Sequence, residues 1–407
     1  MEHSFDEMPT CMGLSPADSS CLAVGFVDGS IQVACVEPHD NNYEVSWSAK
    51  QKRAIRSLLF DGQGDTIFSL SANRALVSYD VESSRKTRVI REAHASKPLS
   101  SCNLTNTATK GQQLATGDEG GQIRTWDWRI KEPIVCEWEE QKEAINALTV
   151  DRHLLLAASS DGTLGAYDLR KRKLFVCSEL MNSELVSIAV TLKYTYVGGS
   201  EGYIEVFKRG EYGNILERIE SGHDKGVNSI IELRRGLLMT ASEEDERIRM
   251  LNVEPNHRLG VATRHGDGGV DRLALTPDRE WIVSLACFDQ SLKLYSTNKV
   301  LDEVPIMSAD HFSRREKENR KKQSKGGKDG FFDGLLDRGE ENDKNGEGSS
   351  DEGDNNEGSE MDEGESEEDE EGMEEEEEDS EVYDEQEEED EEEEEDLPPL
   401  GKRRRIK

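Results

Sequence analysis

"GGQIRTWDWR", residues 120–129, packs a glycine turn, a short alternating run and a Trp-Asp pair into ten residues. Alternation of apolar and polar positions is the mark of a half-buried strand, and glycines ahead of it open a turn. A pattern this short carries weight only if it recurs. Written as turn, small residue, aliphatic, two residues, aromatic and Asp, it returns as "SDGTLGAYD" ending at Asp168 and "SANRALVSYD" ending at Asp80. Weaker copies are "SEGYIEVFK", "EDERIRMLN", "FDQSLKLYS" and "VDGSIQVAC". The aromatic slot then falls at Ala34, Tyr79, Trp126, Tyr167, Phe207, Leu251 and Tyr295, at intervals of 45, 47, 41, 40, 44 and 44 residues. One period held through seven copies is a repeat architecture.

Each copy has the same anatomy. An apolar run such as "AINALTV" or "VNSIIEL" leads to a second such as "LLLAASS" or "LLMTAS", a tight turn follows, and a third run ends at the aromatic slot. The turns use Asp28-Gly29, Asp161-Gly162 and Glu201-Gly202, where glycine tolerates the positive φ of a two-residue hairpin. Three clear strands and a weaker outer one in about 44 residues make a propeller blade. The expectation is an all-β chain: a seven-bladed β-propeller over residues 1–300, with no room there for a second folded domain. This resembles the WD-repeat pattern over about three quarters of the chain. The resemblance implies a buried tetrad of His, Ser/Thr, turn Asp and Trp in each blade, and the sets are incomplete. Blade 3 has His94, Thr116 and Trp126 but Gly120 in the Asp slot; blade 6 has His223 and Asp245 but Leu251 in the Trp slot. The turn acid is Asp28, Asp161, Asp245 or Asp289, with Asn73 and Glu201 as substitutes. Two segments compete to supply the last outer strand: residues 2–8 and "KVLDEVPIM", 299–307.

Charge divides the chain more sharply than hydrophobicity does. Residues 1–300 hold 43 acidic and 35 basic side chains, a net of -8, whereas residues 301–407 hold 44 and 15, a net of -29. The seven cysteines are scattered, with no CxxC pair and no zinc-like Cys/His spacing, as expected of small core residues in a reducing compartment. The N-terminal "MEHSFDEMPT" lacks the features of a secretory signal. No apolar run reaches the roughly 18–20 residues that span a bilayer.

Catalytic motifs are missing as well: there is no P-loop, GxGxxG after a strand, GxSxG elbow or HExxH. His223 beside Asp245 reads as a structural pair within its blade rather than a general base. "GGSEG", 198–202, ends a strand and opens a hairpin, so it offers no helix N-terminus to phosphate. The expectation is a non-enzyme without cofactor or metal. Its body, mildly acidic and without a Lys/Arg stripe, does not call for nucleic acid. Loops on the two faces of a rigid disc suit protein partners.

Beyond residue 300 the sequence reads as four pieces. Residues 301–340 form a linker with a basic cluster at 312–328 and "FFDGLLD" at 331–337; Phe331, Phe332, Leu335 and Leu336 fit one face of a short helix that docks on a partner or on the propeller itself. Residues 341–400 carry 35 acids against one base, too little apolar surface to offset chain entropy, and are expected to be disordered. They are either a solvated spacer or a polyanion for basic partners such as histones and ribosomal proteins. Residues 401–407 end in "KRRRIK", where Lys402, Arg403, Arg404 and Arg405 fit a nuclear-import signal. Ser349, Ser359 and Ser366 each have an acid three residues on, which suits an acid-directed kinase.

Taken together, "LATGDEGGQIRTWDWR", "LLLAASSDGTLGAYDLRKRK", "VGGSEGYIEVF" and "FFDGLLD" resemble the WD repeat-containing protein 55 family, which has a fungal nucleolar counterpart. That resemblance implies a monomer working within larger complexes in the nucleus and nucleolus, some of it in the cytoplasm, supporting ribosomal RNA production and ribosome assembly through pre-ribosomal factors or ribosomal proteins. Trp126-Asp-x-Arg129 and the relaxed Tyr167-Asp-x-Arg170 also resemble the docking signature of substrate receptors for cullin-4 ubiquitin ligases. Otherwise each arginine simply pairs with the neighbouring Asp. An acidic chaperone for histones or ribosomal proteins is the third reading.

Overall fold

The computed structural model describes residues 1–104, 113–253, 256–266 and 268–303. Within them the chain forms seven four-stranded antiparallel sheets. Blades 1 to 6 run in chain order, each from an inner to an outer strand: Pro9–Leu14 to Asn42–Lys50, Ile55–Phe60 to Lys86–Ile90, Pro98–Asn103 to Ile134–Trp138, Ile145–Asp151 to Lys173–Cys177, Leu185–Val190 to Glu217–Glu220, and Ser229–Arg234 to Asn256–Arg264. Blade 7 takes Arg272–Leu275, Trp281–Ala286 and Ser291–Ser296 from one end of the ring and Glu2–Ser4 from the other.

The competition for the closing strand is thereby decided. Glu2, His3 and Ser4 pair with Lys293, Leu292 and Ser291, and the Phe5 amide donates to the Gln290 carbonyl at 2.7 Å. Phe5 is buried edge-on against Phe26, 5.2 Å between ring centres, in the wedge between blades 7 and 1. The rival segment begins as a helix, Thr297–Glu303, and its remainder lies outside the described residues. That helix adds Val300 and Leu301 to the wedge between blades 6 and 7.

Burial follows the interfaces. The hydrophobic core is a set of wedges between neighbouring blades: Ile55 and Tyr79 belong to the one between blades 1 and 2, Ile145 and Tyr167 to that between 3 and 4, and Leu238 and Leu251 to that between 5 and 6. The aromatic slot supplies six of the seven wedges, and Phe5 and Phe26 fill the one between blades 7 and 1, so the sequence period is largely the period of the core. In blades 1 to 4 the pairing between third and outer strands slips just before that slot, at Val33/Ala34, Ser78/Tyr79, Thr125/Trp126 and Ala166/Tyr167. A bulge of this kind re-aims the side chain that follows it.

Glycine is required where one blade's hairpin meets the next blade's entry. Gly202 has φ +79° and lies so close to the His223 carbonyl that a Cβ would sit 2.3 Å from it; Gly121, at φ +86°, would collide with the Gln141 carbonyl at 2.2 Å. The antiparallel meander sends the second-to-third turns and the blade-to-blade entries to one face, called upper here. The first-to-second and third-to-outer connections lie on the lower face. No helix among the described residues is long and apolar enough to cross a membrane.

Candidate interaction sites on the propeller

The polar side chains that looked most like chemistry are spent on holding blades shut. In blade 3, His94 Nε2 meets Thr116 Oγ1 at 2.6 Å, and the Trp126 indole N–H donates to the same oxygen at 2.8 Å. The acid that seemed to be missing is present. It is Asp118, two residues before the Gly120 slot, with one carboxylate oxygen 3.3 Å from His94 Nδ1 and the other accepting the amides of Gly120 and Gln122 at 3.0 and 2.9 Å. From the end of the second strand a carboxylate reaches the turn from the opposite side, so Gly120 needs none of its own. Burial pushes this carboxyl up, but the His94 ring and the amides of Gln122 and Ser96 outweigh it and hold it below the usual range.

In blade 6, His223 joins Asp245 Oδ2 at 2.9 Å and Thr240 Oγ1 at 3.1 Å, while Leu251 fills the Trp slot with no exposed surface. Burial lowers the His223 pKa against the raising effect of Asp245, so the ring is a neutral structural link. Blade 7 has an arrangement the sequence reading passed over: His265 bonds Ser284 Oγ at 2.7 Å and Ser291 Oγ at 2.9 Å, and burial takes its pKa down to about 4. Blades 2 and 4 use glutamine in that place. Gln51 Nε2 donates to Ser69 Oγ at 2.5 Å. Gln141 Nε2 donates to the Thr163 carbonyl at 3.1 Å, and its Oε1 accepts the Tyr167 hydroxyl at 3.2 Å. Entry positions 51, 94, 141, 223 and 265 follow the repeat period, which is the signal that would have found them.

The cysteines are less uniformly core than expected: Cys11 and Cys287 are buried, Cys177 is exposed and the other four are intermediate. Cys11 and Cys102 are pushed up to about 11 and 12 by burial, and every cysteine is unpaired. Among the described residues, no cluster of three or more His, Cys, Asp or Glu side chains could hold a metal ion.

What remains for a partner is on the two faces and along the axis. Arg129 and Arg170 occupy the same lower-face turn of consecutive blades, each two residues past the aspartate that ends the third strand. Their states differ. Arg129 grips Asp127 through two bonds of 2.8 and 2.6 Å, and this pair holds the Asp127 carboxyl far below its ordinary value. Arg170 stands 3.7 Å from Asp168 with a side chain 66% exposed, and Asp168 is instead bonded by the amides of Arg170 and Lys171 at 2.9 and 3.1 Å. The Arg129 turn is braced from blade 2, where Arg88 donates to the Ile130 carbonyl at 2.8 Å and lies 5.1 Å over the Trp128 ring. The axial channel, about 410 Å³, is lined by the inner strands of all seven blades; Arg56 and Arg272 stand at its upper mouth with Glu243 and Asp271. A groove of about 480 Å³ opens between blades 3 and 4, with Arg152, Arg170 and Arg172 at its edge. Phe331, Phe332, Leu335, Leu336, the serines at 349, 359 and 366, and Lys402 to Arg405 lie outside the described residues.

No protein-family model matches the chain. It is 30% identical to WD repeat-containing protein 55 of Bos taurus over 329 residues, which span 79% of this chain and 83% of that protein. The Mus musculus protein of the same name is 30% identical over 285 residues, 69% of this chain and 71% of that one. The chain belongs to the WD repeat-containing protein 55 family. The family reaches plants, with the Arabidopsis thaliana protein 24% identical over 294 residues, 71% of this chain and 81% of its own. A WD propeller is a scaffold fold, generally non-enzymatic, and the family and the ring together make the chain a protein-interaction scaffold.

Proposed function

We propose that this scaffold works in the nucleus and nucleolus, where it supports ribosomal RNA synthesis and processing by holding pre-ribosomal factors or ribosomal proteins together. The observation that carries the reading is the match, over 79% of the chain, to the WD repeat-containing protein 55 family, from which the expectation of a ribosome-assembly role comes. The consumption of the buried histidines by blade locks supports binding rather than catalysis. Affinity purification of the tagged full-length protein, with mass spectrometry and pulse-labelling of ribosomal RNA after depletion, tests it. Co-purification of pre-ribosomal particles and delayed rRNA maturation are expected. Enrichment of free histones without such particles would favour an acidic chaperone and overturn the reading.

A second reading, docking of a cullin-4 ligase adaptor, is favoured by one observation: Arg129 and Arg170 stand in equivalent turns of adjacent blades on one face. Capture of the adaptor that is lost in Arg129→Ala/Arg170→Ala, with an unchanged thermal melt, supports it; retained capture removes it.

A further inference from the structure

The groove between blades 3 and 4 differs from its counterpart between blades 6 and 7 in what fills it. Between blades 6 and 7, Val300 and Leu301 of the Thr297–Glu303 helix complete the apolar wedge beside Leu259 and Leu275. Between blades 3 and 4 no described residue plays that part, and a cavity of about 480 Å³ remains. A volume in the few-hundred Å³ range accommodates a small ligand or a pair of peptide side chains. Its floor is Leu104, Trp138, Val150 and Leu169, apolar and mostly buried. The Trp138 indole N–H is buried there without an acceptor, an orphan donor of the kind that folded proteins rarely leave unpaired.

The rim repeats the contrast in charge. "TVDRHL", 149–154, and "TPDREW", 276–281, are the same turn in blades 4 and 7, with Arg152 and Arg279 held at φ +58° and +61°. Arg279 reaches back and caps the Glu232 and Leu233 carbonyls of blade 6 at 2.7 and 2.9 Å. Arg152 makes no such bond, and neither it nor Arg172 has a hydrogen-bonded or carboxylate partner for its guanidinium among the described residues. Asp151, next to Arg152, is already held by Arg209 at 2.6 Å and the Tyr212 hydroxyl at 2.5 Å. With Arg170, three guanidiniums therefore face solvent over an apolar floor, in a domain whose overall charge is negative.

We propose that this groove is a peptide site that takes a short acidic segment of a partner protein bearing one or two large aliphatic side chains. The side chains would lie on the Leu104–Trp138–Val150–Leu169 floor, as Val300 and Leu301 do three blades away. Carboxylates would pair with Arg152, Arg170 and Arg172, for which guanidinium geometry is suited. Single-stranded nucleic acid fits less well. Binding of bases relies on exposed aromatic faces, and the two tryptophans here, Trp126 and Trp138, are 0% and 5% exposed. The proposal deepens the scaffold reading, and binding by purified protein succeeds or fails whatever particles co-purify from cells.

The test is fluorescence anisotropy with the purified full-length chain and a labelled Glu-Glu-Leu-Glu-Leu-Glu peptide, alongside its Leu-to-Ser counterpart and decauridylate. Saturable micromolar binding of the first peptide is expected, at least tenfold weaker for the serine peptide and for two variants, Arg152→Glu/Arg172→Glu and Cys136→Phe. Amide exchange should slow at residues 134–138 and 150–153 when peptide is added, and this readout on the unaltered protein decides the matter if either variant fails to fold. Absence of saturable binding up to about 1 mM, or undiminished binding by the charge-reversed variant, overturns the proposal. So does tighter binding of decauridylate through the same arginines. Groove amides already protected without peptide and unchanged by it would mean that a second copy or another stretch of this chain occupies the site, which also overturns it.

Discussion

Blades 3 and 4 sit side by side and close the same upper corner with different side chains. Blade 3 uses His94, Thr116, Asp118 and Trp126; blade 4 uses Gln141, Thr163, Asp161 and Tyr167. In both, the entry residue bridges across the sheet, a carboxylate ties the turn, and an aromatic side chain fills a wedge. The comparison teaches that the corner needs a short two-ended polar bridge and a large apolar plug, and that imidazole and indole are one way of providing them. Blade 6 goes further, with Leu251 as the plug.

The plug should matter most, because it is a fully buried volume rather than a single bond. Trp126 is among the largest side chains with no exposure, packed with Phe68, Leu70 and Leu114 in the wedge between blades 2 and 3. Trp126→Ala should cost about 3–5 kcal/mol, read as a lower urea midpoint. Trp126→Leu, which turns blade 3 toward the blade 6 pattern, should cost clearly less. Equal losses would show that the indole–Thr116 bond, and not volume, holds the corner.

The bridges separate by pH. In blades 6 and 7 the folded-state pKa of His223 and His265 is lowered by burial, to about 4 for His265. The unfolded chain then takes up protons before the folded one as pH falls below the ordinary histidine value near 6.5. Stability is therefore complete above that value and declines toward pH 4. His265 alone should remove about 2 kcal/mol between pH 7 and pH 5. Gln51 and Gln141 show that glutamine serves in the same place, so His265→Gln should fold and flatten part of this decline. Urea titrations at pH 7 and pH 5 give the slope, and an unchanged slope in the variant would remove His265 as its source.

The reverse exchange sharpens the comparison at smaller scale. Gln141→His in blade 4 places imidazole near Thr163 and Tyr167, and if the corner only needs a two-ended bridge, the cost should stay under about 1.5 kcal/mol. A larger loss at pH 7 would show that blade 4 is shaped for the amide.

These exchanges also mark what could be read in the sequence. The ring was legible because strand alternation and the period of the aromatic slot are local and repeat, so substitution of Leu251 for Trp left the phase intact. Asp118 was not, because it opens the turn instead of sitting at its tip, and its bonds to His94 and Ser96 appear only once the preceding blade's exit is brought beside it. His265 and the glutamines were hidden by looking for histidine pairs rather than for the repeat at the entry position. The arginine-edged groove between blades 3 and 4 was not legible either. "DLRKRK", 168–173, reads as a solvated turn, and which carboxylates its arginines lack depends on strands far away in the chain.

The lower-face turns give the smallest and most specific contrast between the two blades. Arg129 is bonded to Asp127 at 2.6 and 2.8 Å, whereas Arg170 stands 3.7 Å from an Asp168 already held by backbone amides. At neutral pH both Arg→Ala changes should cost little, Arg129→Ala the more of the two, because half-exposed ion pairs add little to stability and only Arg129 makes short bonds to its carboxylate. In acid they should converge. Asp127, with its folded pKa depressed chiefly by Arg129, contributes stability above the ordinary carboxylate value near 3.8 that is lost as pH falls through the folded value. Arg129→Ala takes away that hold, so its cost fades as Asp127 protonates and the variant loses less stability in acid than the unaltered protein does; Arg170→Ala leaves the acid loss as it was, since the amides remain. Urea midpoints at pH 5 and pH 3 for the two single variants measure the difference. The same asymmetry bears on adaptor capture, because a partner using Arg129 must first break two short bonds, while Arg170 is available as it stands. Arg170→Ala should therefore weaken capture more than Arg129→Ala, and equal weakening would mean that the partner engages the turns through their backbone rather than through the guanidiniums.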